Sequence, residues 1–261
     1  MVKPKILDTF STIKASIFLL IKNPKLFLPK LIVAVLYGVG ILLSVNLVNR
    51  AVGFTQIPRE QLVFDELQSF LVSALLLFVL TVLTYFVDLF FSGLYPFLVE
   101  QSKNGKVSFF KAFVQTKPKL YALFVSGILV WLLLMLVSFI EAGIILFFNL
   151  SWEGAVISFV ITFAFIFLFY FLFPIIVFKK ENLGEIFKKT FISSFSNKKT
   201  VFIYSLIPFS VSIIKYSVAF YSSSPQMLVL FWGLVLLTAI VYSIHAVVNQ
   251  LLYVSVSKKG K

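Results

Sequence analysis

Between Leu120 and Phe148 the chain reads LYALFVSGILVWLLLMLVSFIEAGIILFF, and its single charge is Glu141. About 30 Å of hydrocarbon is crossed by roughly 20 apolar residues in a helix, so this stretch is long enough to span a bilayer. Five other stretches qualify: Leu28–Val48, Phe70–Leu94, Ala155–Phe178, Val201–Tyr221 and Leu228–Val256. Lipid offers the backbone no hydrogen-bond partner, so segments of this kind must be helices. A β-barrel would need short alternating segments, and these runs do not alternate. Composition agrees: 60% of residues are apolar and 13% charged, with a mean hydropathy of +1.04. A soluble domain would be nearer half apolar and a quarter charged.

The formal net charge is +13. Segments 1–30, 100–119, 179–199 and 257–261 hold 6, 5, 6 and 3 Lys, or 20 of the 23 basic residues. The alternate loops hold Arg50 and Arg59, with Glu60, Asp65, Glu66 and Glu153; Lys215 lies inside a span. Basic residues on every second loop follow the positive-inside rule. Six spans with both termini cytoplasmic, in a cell membrane, are the expectation. The first span is expected to be retained, because no small-residue cleavage site follows it. Lys residues that flank apolar runs fit an anionic lipid surface better than nucleic acid, which is not expected as a partner.

The order of features suggests a three-fold repeat over residues 5–99, 100–178 and 179–256 within one polytopic domain. Each unit is a basic amphipathic stretch, a Lys-rich turn, a span out and a span back. The turns are Asn23-Pro24-Lys25-Leu26-Phe27, Lys117-Pro118-Lys119-Leu120-Tyr121 and Asn197-Lys198-Lys199-Thr200-Val201. Two returning spans end alike, in Tyr95-Pro96-Phe97-Leu98-Val99 and Phe173-Pro174-Ile175-Ile176-Val177. In Ile6–Ile21, Phe10, Ile13, Ile17, Leu20 and Ile21 recur at helical spacing. Val107–Val114 and Leu183–Phe195 look similar. Helices this short and charged lie in the headgroup plane, with Lys14, Lys22, Lys25, Lys111, Lys117, Lys119, Lys188, Lys189, Lys198 and Lys199 facing lipid headgroups. Pro24 and Pro118 then break the helix and turn the chain into the bilayer. The alternative is that each stretch simply extends the next span. The fold class is therefore an all-α membrane protein, with about six transmembrane helices in three two-helix repeats and cytoplasmic interfacial amphipathic helices.

A returning span that ends in Pro and β-branched residues, then a charged turn, a Phe/Ser-containing amphipathic helix and a Lys turn, resembles a known group. It is similar to the membrane domain attached to some glycerophosphodiester phosphodiesterases and to its stand-alone relatives. Phe173–Tyr204 carries the match, with a weaker echo at Tyr95–Phe124. The resemblance implies architecture. It lends no catalytic residue, since these 261 residues hold neither a soluble phosphodiesterase domain nor its His/Glu metal cluster.

Four ionisable residues fall within spans: Asp88, Glu141, Lys215 and His245. Such groups are costly in lipid and mark candidate sites. Asp88 lies eight residues before Pro96, and His245 eight before Tyr253, so the two are expected at similar depth. They suit a proton-linked pair or a structural interhelical hydrogen bond, worth under about 1–2 kcal/mol in a membrane. Glu141 falls near the outer interface, where plain solvation also serves. Lys215 lies in the outer third, where it snorkels, pairs with Glu141 or holds a substrate. Pro208 is expected to kink its span, and Trp152 to anchor at an interface. There are no cysteines and one histidine, and no GxxxxGK[ST], GxSxG, HExxH or CxxC motif. No metal, cofactor or catalytic residue is expected, and the chain reads as a non-enzyme. A scaffold or lipid-organising module leads; a small-solute or proton-linked transporter using Asp88 and His245 is the competing reading.

The absence of cysteine makes the orientation directly testable. A cysteine introduced as Asn104→Cys should resist a membrane-impermeant maleimide applied to intact cells, whereas Ser222→Cys should react. The reverse pattern would overturn the assigned topology.

Overall fold

The computed structural model describes residues 9–56, 64–147, 152–178, 181–219 and 224–257. Arg59, Glu60, Phe148, Tyr221 and the terminal lysines of the charge count lie outside these residues. Among the described residues every regular element is helical. The helices are α1 Thr9–Lys22, α2 Leu28–Gln56, α3 Phe64–Lys103, α4 Phe109–Thr116, α5 Leu120–Phe147, α6 Trp152–Leu168, α7 Leu172–Phe178, α8 Leu183–Ser196, α9 Lys198–Ala219 and α10 Pro225–Ser257. Six helical stretches are long and apolar enough to cross a membrane, and the protein is an all-α membrane protein.

Local chemistry places the boundaries. Ser108 caps α4, its Oγ accepting from the Lys111 amide. Asn182 caps α8 by accepting from the Glu185 amide at 2.9 Å. Both satisfy amides that a helix start leaves without a carbonyl. Pro24 and Pro118 sit in single 3-10 turns, Pro24–Phe27 and Lys117–Lys119, which join α1 to α2 and α4 to α5. The expected Pro breaks are therefore present. Helix α3 is longer than the Phe70–Leu94 reading: its 40 residues run about 60 Å at 1.5 Å per residue. The fourth span is not continuous. It breaks at Phe169–Phe171, between α6 and α7, just before Pro174.

Two compact units are built from these helices. One holds Met1–Leu26, Leu89–Phe209 and Ser243–Lys261; the other holds Phe27–Asp88 and Ser210–Tyr242. Both draw on α3, α9 and α10, and α9 is divided between Phe209 and Ser210, one residue past Pro208.

The core of the larger unit is made by the ends of the returning helices. Leu94, Tyr95, Leu98 and Val99 of α3, Ile175–Val177 of α7, and Val247, Val248, Leu252 and Tyr253 of α10 are all buried. Phenylalanine does much of the locking. Phe159, Phe209, Phe163 and Phe202 interleave between α6 and α9, with centroids 6.0, 5.5 and 5.1 Å apart in T-shaped contacts. Each such pair adds about 0.5–1.5 kcal/mol beyond area burial. Helices α3 and α5 meet through a reciprocal notch. Leu123 fills the space beside Gly93, and Leu89 the space beside Gly127, so that a Cβ on Gly127 would lie 2.4 Å from a Leu89 methyl. Small residues allow this close approach between membrane helices.

In the smaller unit, Ala34, Ile41 and Val45 of α2 pack on Ala219 of α9 and on Phe231, Val235 and Ala239 of α10.

Gly127→Ala should lower unfolding stability in detergent by about 1–2 kcal/mol through overpacking. Gly40→Ala meets open space and should leave stability unchanged or raise it by up to about 1 kcal/mol through helix propensity. The opposite order in a denaturation titration would refute the notch.

Candidate functional site

The polar side chains inside the spans fall into separate groups. In the smaller unit, Asp88 of α3 forms an ion pair with Lys30 of α2, Nζ to Oδ1 2.6 Å. The Lys30 side chain is 9% exposed and that of Asp88 30%. The charge on Asp88 thus has a partner that the sequence reading had counted among the flanking lysines. Lys30 stands three residues inside α2, which brings it level with Asp88 on the antiparallel helix.

Near the other end of α2, Arg50 reaches across to α3. Its guanidinium donates to Ser73 Oγ at 3.3 Å, to Ser69 Oγ at 3.3 Å and to the Glu66 carbonyl at 3.5 Å. It also lies 6.0 Å from the Phe70 ring centroid. Ser69 and Ser73 are one turn apart, so their hydroxyls face Arg50 together. Between Lys30 and Arg50 lie about 30 Å of helix, the thickness of the hydrocarbon layer.

Lys215 of α9 belongs to the same unit and is 3% exposed. Protein atoms cover it, which is not the posture of a snorkelling lysine. Ser212, one turn earlier, shares a 2.6 Å hydrogen bond with the Tyr242 hydroxyl of α10.

Glu141 and His245 belong to the larger unit. Glu141 of α5 is 8% exposed, and its carboxylate accepts a hydrogen bond from the Ser158 hydroxyl of α6. The carboxylate is therefore held by a neighbouring helix. The His245 ring of α10 packs edge-on to Tyr170, centroids 5.3 Å apart. Of the four ionisable residues, the structure places Asp88 and Lys215 in one unit and Glu141 and His245 in the other.

A further set of polar contacts surrounds the break before Pro174. Proline has no N–H, so Pro174 cannot bond the Tyr170 carbonyl four residues back. Asn249 Nδ2 of α10 donates to that carbonyl at 2.7 Å. The Leu172 amide bonds Phe169 rather than Leu168, and the Leu168 carbonyl accepts from Ser194 Oγ of α8 at 3.3 Å. Near Pro96, Thr116 Oγ1 of α4 shares its one proton between the Ala112 carbonyl of its own helix at 2.9 Å and the Gly93 carbonyl of α3 at 3.3 Å. At the cytoplasmic end expected for α3, Tyr95 Oη donates to the Leu26 carbonyl at 2.6 Å. No motif or spacing along the chain marks Asn249. Its spacing from Pro174 in three dimensions is what gives it this role.

The three short helices share one pattern. Helix α1 buries Thr12, Ser16 and Leu20 while exposing Phe10, Ile17, Phe18 and Ile21. Helix α4 buries Ala112 and Thr116 and exposes Phe110 and Val114; α8 buries Ile186, Thr190 and Ser194 and exposes Ile192 and Phe195. The inward faces combine small and hydroxyl side chains with Leu20 and Ile186, while the other large apolar side chains named face out; Phe10 and Phe110 are each 75% exposed. The inward hydroxyls are satisfied on their own helices: Ser16, Thr116 and Thr190 each bond the carbonyl four residues back, at 2.8, 2.9 and 2.8 Å. Among the lysines, Lys14, Lys22, Lys25, Lys111, Lys117, Lys188, Lys198 and Lys199 are exposed, and Lys119 and Lys189 partly so. Lys189 pairs with Glu181 at 2.5 Å and Lys188 approaches Glu185 at 3.8 Å.

Among the described residues no group of three or more His, Cys, Asp or Glu side chains could hold a metal ion. In comparisons with known proteins, no family model, curated protein or solved structure matched the chain.

The Lys30–Asp88 pair makes a specific prediction. Asp88→Asn should destabilise the protein by about 3 kcal/mol, because the buried Lys30 charge loses this carboxylate, and Lys30→Met by less, because the Asp88 side chain is partly exposed. The double variant Lys30→Met/Asp88→Leu should recover most of that loss. Additive single effects in thermal unfolding would show that the two side chains do not act as a pair.

Proposed function

We propose that this protein is a non-enzymatic membrane scaffold that organises anionic lipid around its three short helices. One observation carries the reading: α1, α4 and α8 each turn small or hydroxyl side chains inward and present Phe or Ile beside exposed Lys. An apolar face of that kind favours the acyl boundary, and the lysines favour anionic headgroups. Each Lys near an anionic surface contributes about 1 kcal/mol, and salt screens it. In this reading the short helices lie on the cytoplasmic side with both termini, and the chain comprises three copies of one unit. The order short helix, turn, long helix, returning helix supports it, since it recurs as α1–α3, α4–α7 and α8–α10. So do Thr116 and Ser194, each 20 residues after the Pro of the preceding returning helix and each reaching a carbonyl before that Pro. The resemblance to the phosphodiesterase-linked membrane domain accords with the same architecture.

The transporter reading gave Asp88 and His245 a shared proton-linked role. The Lys30 ion pair already engages the Asp88 carboxylate, which favours the scaffold.

Reconstitution separates the two. In vesicles of mixed phosphatidylcholine and phosphatidylglycerol, the protein should concentrate a fluorescent phosphatidylglycerol around itself, and 0.5 M salt should abolish the effect (about 0.5 M lies well above physiological ionic strength). Replacing Lys111, Lys117, Lys188, Lys198 and Lys199 by Gln should reduce the enrichment several-fold. Enrichment unchanged by those substitutions would sink the lipid-organising role. Proton flux above that of protein-free vesicles, lost in Asp88→Asn and His245→Ala, would establish transport instead.

A further inference from the structure

We propose that Arg50, Ser69 and Ser73 form a binding site for the phosphodiester group of a membrane phospholipid, at the end of α2 remote from its Lys-rich turn. Arg50 lies 20 residues beyond Lys30, about 30 Å along the helix, and so at headgroup depth when Lys30 is near the opposite interface. The guanidinium is a fixed planar fork of five N–H donors, suited to phosphate oxygens. The contacts it makes, to Ser69 Oγ, Ser73 Oγ and the Glu66 carbonyl, are 3.3–3.5 Å long. These are at the weak end for such bonds. Among the described residues Arg50 forms no ion pair: the Glu66 carboxylate, on an exposed residue of α3, is not within salt-bridge distance. Among the described residues the positive charge is thus held in place by two hydroxyls and a carbonyl and paired with no carboxylate.

The hydroxyls complete the site. Ser73 accepts from Arg50 while donating to the Ser69 carbonyl at 2.8 Å, which fixes its oxygen toward the guanidinium. Ser69 accepts from Arg50, and its own O–H makes no other hydrogen bond among the described residues. That leaves it able to donate to a phosphate oxygen. One cation and one hydroxyl donor match a monoanionic phosphodiester. Toward the interior of the span, Leu67, Leu71 and Leu75 stand one turn apart on α3 and are exposed. They offer an acyl chain a continuous apolar track from the headgroup inward. The site is independent of the Lys-bearing short helices, so either assignment can fail without the other.

The test uses the full chain, purified in a non-ionic detergent and stripped of lipid. Thermal stabilisation is titrated with phosphatidylglycerol, with diacylglycerol carrying the same acyl chains, and with inorganic phosphate. All surface lysines are present in every variant, so their contribution cancels. Phosphatidylglycerol should stabilise the native sequence more than diacylglycerol does. Arg50→Gln should weaken its apparent affinity about tenfold, as loss of a charge-assisted hydrogen bond implies. Ser69→Ala should weaken it less, and Arg50→Lys should fall between the native protein and Arg50→Gln, since an ammonium keeps charge but lacks the fork. Equal phosphatidylglycerol titrations for the native protein and Arg50→Gln would overturn the site. An Arg50-dependent shift reproduced by inorganic phosphate alone would overturn the lipid as its source and leave a site for free anion. Should Arg50→Gln not fold, Ser69→Ala and Arg50→Lys decide: no weakening in either overturns the proposal.

Discussion

A backbone carbonyl inside a bilayer has no water to turn to, and this fold is arranged around the helix break before Pro174, which would leave two of them bare. The Tyr170 carbonyl is met by Asn249 and the Leu168 carbonyl by Ser194. In each case the donor comes from another helix. An unsatisfied polar group in hydrocarbon costs several kcal/mol, so these contacts dictate which helices lie together. They bring α10 and α8 to the α6–α7 break. The buried ends of α3, α7 and α10 make up much of the larger core, which is where these bonds are needed.

Charge is handled by the same rule. Lys30 near the start of α2 meets Asp88 within α3, and Arg50 near the end of α2 meets Ser69 and Ser73 near the start of α3. About 30 Å of helix separates Lys30 from Arg50. That is the distance over which lipid tolerates no unpaired charge. The Lys30–Asp88 pair closes one end without outside help. The Arg50 end is made of long hydrogen bonds, and among the described residues Arg50 forms no ion pair, a combination that suits an oxyanion held in the headgroup layer.

The short helices invert the arrangement of a soluble amphipathic helix. Their inward faces carry Thr, Ser and Ala beside Leu20 and Ile186, with the Ser16, Thr116 and Thr190 hydroxyls bonding their own backbone, while Phe10, Phe18, Phe110 and Phe195 point away from the protein. In water this would be unstable; against acyl chains it is the favourable direction. A scaffold reading rests on that inversion combined with exposed lysines, because together they specify an amphiphilic surface and no reacting group.

The sequence by itself determined the fold class, the six spans, the short helices and the turns at Pro24 and Pro118. Span length and backbone satisfaction in lipid allow few other solutions, and both can be read along one dimension. The break before Pro174 and the partners of the buried polar groups were settled only by tertiary structure. Asp88 reads as a candidate partner for His245 because both stand eight residues from matching span ends, yet the side chain that reaches it is Lys30, 58 residues away. Asn249 and Arg50 are unremarkable in the chain. They acquire their roles because the polar group each must meet lies on another helix, and helix packing, not residue spacing, brings the two together.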